Sequence, residues 1–174
     1  MNKFYKNLRF NLSVFFFMVM TALALPLNSA WANNLVISNF AVYDTNTSSN
    51  TITFQFDIAW DNSWRNVTNY DSVWVFSKFS KDAGQTWSHV SMSANGTNPM
   101  GFNAPTNFEI IVPPDEKGFF LQRTDLASGS ASAEGVRFSW DYGQDGLTDD
   151  EALAANTINS IFGVEMVYIP EGAF

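Results

Sequence analysis

Four groups of residues have the types and spacing to do chemistry. The first is Trp64 and Trp87, with Arg65 beside the former, at the ends of alternating apolar runs rather than within them. An exposed indole covers the apolar face of a sugar ring, so such residues on a secreted β-protein would form a glycan-stacking platform. Trp60, Trp74 and Trp140 fall in phase with other apolar positions and are expected in the core. The second group, Asp61, Asp71 and Arg65, has the makings of an acid/base pair with a cation. Beside Asn62 and Asn69, however, such residues are expected to make turn and capping bonds.

The third group is the run Asp141 to Asp150. Calcium loops place oxygen ligands at positions one, three and five, glycine at six and a bidentate acid at twelve. Asp141, Asp145, Gly146 and Asp149 fit positions one, five, six and nine, but Gly143 and Ala152 stand where ligands are needed. A turn joining strands is the expected role, and no metal or other cofactor is assigned. The fourth is His89, the one histidine of the chain. Alone it cannot build a histidine metal site, and no strained nucleophile elbow accompanies it. Its alternation with Val90 and Met92 predicts a structural residue near a sheet edge.

The elements that must position these residues are strands. Ile52, Phe54, Phe56, Ile58 and Trp60 occupy every second position, the period of an extended chain. Further strands are predicted over 35–43, with Val36, Phe40 and Val42 toward the core, and over 72–79, 87–92, 107–112, 118–123 and 136–140. Pro113-Pro114-Asp115-Glu116-Lys117 predicts a tight reversal between two of them, because proline cannot continue a ladder. The small residues Ala127 to Gly135 read as a separator, and Asp149 to Asn156 as one or two helical turns at most. Short strands at turn-punctuated intervals predict an all-β, antiparallel, β-sandwich-like domain.

The first 32 residues read as a signal peptide rather than as part of that domain. Lys3, Lys6 and Arg9 precede the apolar stretch Leu12 to Leu25, and Ala30-Trp31-Ala32 supplies a small-x-small cleavage site. The apolar stretch is shorter than the ~20 residues a spanning helix needs. The chain is therefore expected to be exported, to a periplasm or the exterior, and free of the membrane after cleavage. Residues 33–174 carry all 17 acids and all but three of the nine bases, a net charge near −11. That charge opposes nucleic-acid partners. The absence of cysteine excludes disulfides, thiolate metal sites and a cysteine nucleophile.

The run Met166-Val167-Tyr168-Ile169-Pro170-Glu171-Gly172-Ala173-Phe174 resembles the opening strand and turn of the formylglycine-generating enzyme, or sulfatase-modifying factor, family. Trp60-Asp61-Asn62-Ser63-Trp64-Arg65 and Asn69 to Lys78 resemble the β-rich segment that precedes such domains in some exported bacterial proteins. After the signal peptide over 1–32, the resemblance implies a β-module over 33–160 and, over 161–174, the first strand of a truncated family domain. Active members of the family oxidise a substrate cysteine with a copper-binding cysteine pair. This chain has no cysteine and none of the family's catalytic residues, so catalysis is expected only of a longer parent.

Two functions are expected from these readings. One is a non-catalytic accessory module, a scaffold or recognition surface whose partner is a downstream catalytic domain. The other is an independent secreted protein that binds glycan or a cell-surface partner through Trp64, Arg65 and Trp87.

Overall fold

The computed structural model describes residues 33–168; the signal peptide expected over 1–32 and the end of the family-like run, 169–174, lie outside them. Nine strands and one helical turn follow in order: β1 (Val36–Asn46), β2 (Thr51–Trp64), β3 (Asp71–Ser80), β4 (Ser88–His89), β5 (Gly96–Thr97), β6 (Phe108–Val112), β7 (Phe119–Arg123), β8 (Ser128–Asp141), α1 (Asp149–Ala152) and β9 (Ile158–Val167). The smaller sheet has the order β1-β2-β8. In the larger sheet β4, β3, β7, β6 and β5 follow one another, and β9 pairs with β3. All pairings are antiparallel. The all-β class read from the alternating runs is thus the observed one.

The two sheets bury their inner faces against each other. Ile52, Phe54, Phe56, Ile58 and Trp60 of β2 are all buried, as are Val136, Phe138 and Trp140 of β8. Opposite them lie Val73, Val75 and Phe79 of β3 and Phe119 and Leu121 of β7. Rings meet across the gap: Phe56 and Phe119 at 6.3 Å, Phe79 and Trp140 at 5.0 Å. Fully burying an apolar side chain of this size contributes roughly 1.5–3 kcal/mol, so this aromatic layer is the main adhesive between the sheets.

Several expectations are corrected by bulges and by small residues. Asn39, at φ +54°, sits in a register break between β1 and β2. It shifts the phase of β1, so that Leu35, Ile37 and Phe40 pack on the core and Val36 faces outward; Val42, paired with buried Phe54, is on the core side but stays exposed because β1 is an edge strand. Asn62, at φ +56°, does the same in β2: the strand runs on to Trp64, where a loop was expected, with Ser63 buried and Trp64 turned outward. The expected separator Ala127 to Gly135 is mostly strand as well. Ala131 and Ala133 of β8 lie opposite Trp60 and Ile58, where only small side chains leave room for the large ones.

Trp74, expected in the core, projects from the outer face of the larger sheet. It alternates with buried Val73 and Val75 and is only half-buried. The expected strand over 87–92 shrinks to Ser88–His89, after which Val90 and Met92 anchor the chain in the core. The proline reversal between β6 and β7 is present, closed by a bond from Glu116 N to Pro113 O. The helix is a single turn, capped reciprocally by Thr148 and Glu151.

Residues 161–167, expected to open a separate domain, belong to β9. They pair with β3 as part of an unbroken register from Asp71↔Val167 to Ser80↔Ile158. The described part of the family-like run thus pairs into the larger sheet, and Tyr168 N continues the ladder with a bond to Tyr70 O.

Candidate binding face

The sequence-derived candidates do not assemble into one site. Trp64 N donates to Asp71 Oδ1 at 2.9 Å, at the start of β3. Trp87 precedes Ser88, which pairs with Phe79 near the far end of the same strand. The eight-residue span from Asp71 to Phe79 is about 26 Å at ~3.3 Å per residue, so the two indoles share no platform. Trp87 is 39% exposed, with its Nε1 donating to Gly84 O.

The calcium-loop carboxylates are spent on local donors. Asp141 accepts from Gln144 N. Asp145 accepts from Ser91 N and from Trp140 Nε1. Asp149 accepts from the Tyr142 hydroxyl at 2.6 Å. Each carboxylate thereby fixes a turn or a core residue, and among the described residues no three acidic or histidine side chains gather to hold a metal. Burial, and then Asp149, push the Tyr142 phenol up to about 12.

Asp71 is the organising carboxylate of the central loop. It is 2% exposed and accepts from Trp60 Nε1 at 2.6 Å, Ser63 Oγ at 3.1 Å and Trp64 N. Arg123 Nε donates in turn to Ser63 Oγ. Asp61 faces outward instead, accepting from Asn34 and Ser130, which together hold its carboxyl below the usual range. The supposed acid/base pair is thus two separate structural ties. His89 lies on edge strand β4 with its ring 5.6 Å from Phe76; desolvation, Lys78 and Lys117 hold its imidazole below the usual value.

A cluster not foreseen from the sequence joins Lys117, Ser91 and Asp145. Lys117 Nζ donates to Ser91 Oγ at 2.5 Å, and that hydroxyl donates to Asp145 Oδ1. A serine and lysine so placed resemble a nucleophile and base. Ser91 is fully buried, however, so its hydroxyl faces no substrate.

What the fold does assemble is an apolar row on the outer face of the larger sheet. Register places Val164 of β9 beside Trp74 of β3, Trp74 beside Phe120 of β7, and Phe120 beside Ile111 of β6. At ~4.8 Å between strands the row is about 14 Å wide. Trp74 and Phe120 have ring centroids 4.7 Å apart, and Phe76 stacks on Phe162 at 5.2 Å. Gly118 makes this possible: a Cβ there would lie 2.5 Å from Trp74 Cζ2 and 2.7 Å from Val75 O. The β9 side of the face is open, with Phe162 42%, Val164 51% and Met166 45% exposed.

Beside the row is an open hollow of about 310 Å³, lined by Tyr70, Ser72, Phe120, Gln122, Met166 and Tyr168 among others. Tyr70 and Tyr168 stack in parallel at 4.9 Å along one wall. Arg65 caps Tyr70 at 4.7 Å while donating to Arg123 O, and it stands 4.0 Å from Glu109. None of the sequence-derived binding candidates lines this hollow; Arg65 reaches it only by stacking on Tyr70. Single exposed apolar residues are ordinary on protein surfaces, whereas a contiguous apolar patch with a polar rim marks an interaction site. The signal lay in β3, whose run Val73 to Phe76 is apolar on both faces; in β9 Phe162, Val164 and Met166 make the outer face apolar and alternate with Gly163 and Glu165.

The chain matches no protein-family model, no curated protein and no solved structure.

Proposed function

We propose that this chain is a non-catalytic recognition module, exported as part of a formylglycine-generating-enzyme-family protein, and that the outer face of its larger sheet receives a protein partner. The carrying observation is the row Val164–Trp74–Phe120–Ile111 with its adjoining hollow. Aromatic residues and methionine are the types enriched at protein interfaces, and the hollow would take an apolar anchor side chain. β9 leads into the family-like run through Met166, Val167 and Tyr168, so a following domain would emerge at the edge of this face.

Glycan binding has less support. Trp64 and Trp87 lie at opposite ends of β3, and the outer face mixes its rings with Ile111, Val164 and Met166 instead of offering a flat stacking platform. Reading the coding DNA past codon 174 tests the family reading. An in-frame domain of that family is expected, and a stop codon with no remnant of such a domain would overturn it.

A further inference from the structure

Sheet edges expose unpaired N–H and C=O groups, and proteins blunt them by shortness, bulges, lysine, proline or a covering segment. Most edges here are blunted. β4 and β5 have two residues each. β1 is broken by two register shifts. β8 is bridged from outside the sheet by Met92 and Asn103. β9 is different. Its ten residues match β3 with no register shift, and among the described residues no strand pairs with its other edge. The strand INSIFGVEMV contains no lysine, arginine or proline, and its one charge is Glu165.

We propose that a second copy of this chain adds to the free edge of β9, antiparallel, about a two-fold axis at Gly163. The strand is self-complementary in that register. On the outer face Phe162 meets the second copy's Val164, Ser160 meets its Met166, and Ile158 meets its Tyr168, so both apolar rows join across the seam. Cross-strand apolar pairs of this kind are the units that stabilise a sheet. On the inner face the axis passes between two residues without side chains. A Cβ on Gly163 would stand 3.1–3.2 Å from Ile37, Leu35 and Val73 of its own copy, so this position is already filled from within the sandwich.

Charge selects the register. With the axis at Gly163, Glu165 lies opposite the second copy's Ile161, and its carboxylate is engaged by the Asn33 side chain of its own copy. An axis at Glu165 would set two carboxylates face to face, which is destabilising. The two copies are each acidic, so added salt screens their repulsion and strengthens this dimer. A basic partner held by charge would show the opposite dependence.

Sedimentation equilibrium of the full chain, produced by export, tests this. A dimer that tightens with salt is expected. Val164→Lys, at an exposed position, should weaken it at least about tenfold by setting a cation in an apolar seam, while Val67→Lys, 87% exposed and off the edge, should not. Circular dichroism establishes that both variants keep the fold. Because the chain lacks cysteine, the register is read separately by mixing Phe162→Cys with Val164→Cys chains under oxidation. The mixture should cross-link more completely than either variant alone. A monomer at all concentrations, a dimer indifferent to Val164→Lys, or preferential linking of Phe162→Cys to itself would overturn the proposal. Val164 belongs to the outer row as well, so the two proposals are separated by Phe120→Asp, which lies on β7 away from the edge and should leave this dimer intact.

Discussion

Trp60 Nε1 donates to Asp71 Oδ2 at 2.6 Å inside the sandwich, joining the inner face of β2 to the first residue of β3. The bond reconciles two buried groups that each carry a cost: an indole N–H with no water, and a carboxylate 2% exposed. Ser63 Oγ and Trp64 N donate to the carboxylate's other oxygen. Asp71→Ala leaves all three donors without this partner. The expected loss is about 2–5 kcal/mol, at roughly 1–3 kcal/mol for each of the buried Trp60 and Ser63 donors left unsatisfied, measured by urea denaturation. A loss below about 1 kcal/mol would mean that water replaces the carboxylate.

Gly118 carries a different constraint. Alanine there would overlap Trp74 and the Val75 carbonyl, and overpacking of this kind costs about 1–3 kcal/mol. Gly118→Ala should also shift the fluorescence of Trp74, because the indole must lift from the strand. Unchanged melting and emission would show that β7 moves aside freely.

Tyr142 contributes to the alkaline limb of the pH dependence, and Asp82, together with Asp57, Asp61 and Glu151, whose carboxyls are lowered as well, to the acid limb. The phenol of Tyr142 is raised to about 12, mainly by burial. A raised value favours the neutral form in the fold, so its contribution is complete below pH 10 and is lost as pH rises from 10 toward 12. Spectroscopic titration should find a tyrosine step near pH 12, and Tyr142→Phe should remove that step. Asp82 is lowered to about 2 by bonds from Thr86 and Ser80. Its contribution is present above about pH 4 and is lost as pH falls toward 2. Asp82→Asn should flatten that acid limb; an unchanged limb would mean the loop bonds are not retained in solution.

The fold class was legible because β2 alternates strictly and proline marks the β6–β7 reversal. What escaped depended on single backbone positions or on partners remote in sequence. Asn39 and Asn62 adopt positive φ, and each flips the phase of the strand beyond it, which no period count detects. Ala131 and Ala133 look like linker residues until Trp60 and Ile58 are set opposite them. Trp74 was assigned to the core because an aromatic in an apolar run has two possible faces, and only the register of β3 with β7 and β9 decides between them. The turn role expected of Asp141, Asp145 and Asp149 was legible, but not the partners of their oxygens, Ser91, Trp140, Tyr142 and Gln144, of which Ser91 is remote in sequence.

The central claim is that the outer face of the larger sheet recognises a protein, and a titration tests it most directly. The full chain would be titrated calorimetrically with the formylglycine-generating-enzyme-family domain expected in frame beyond codon 174, produced separately. Saturable binding is expected, weakened at least about tenfold by Phe120→Asp, which sets a charge beside Trp74 in the middle of the apolar row. No binding to that domain, or binding of equal strength by the Phe120→Asp variant with its fold intact, would contradict the account.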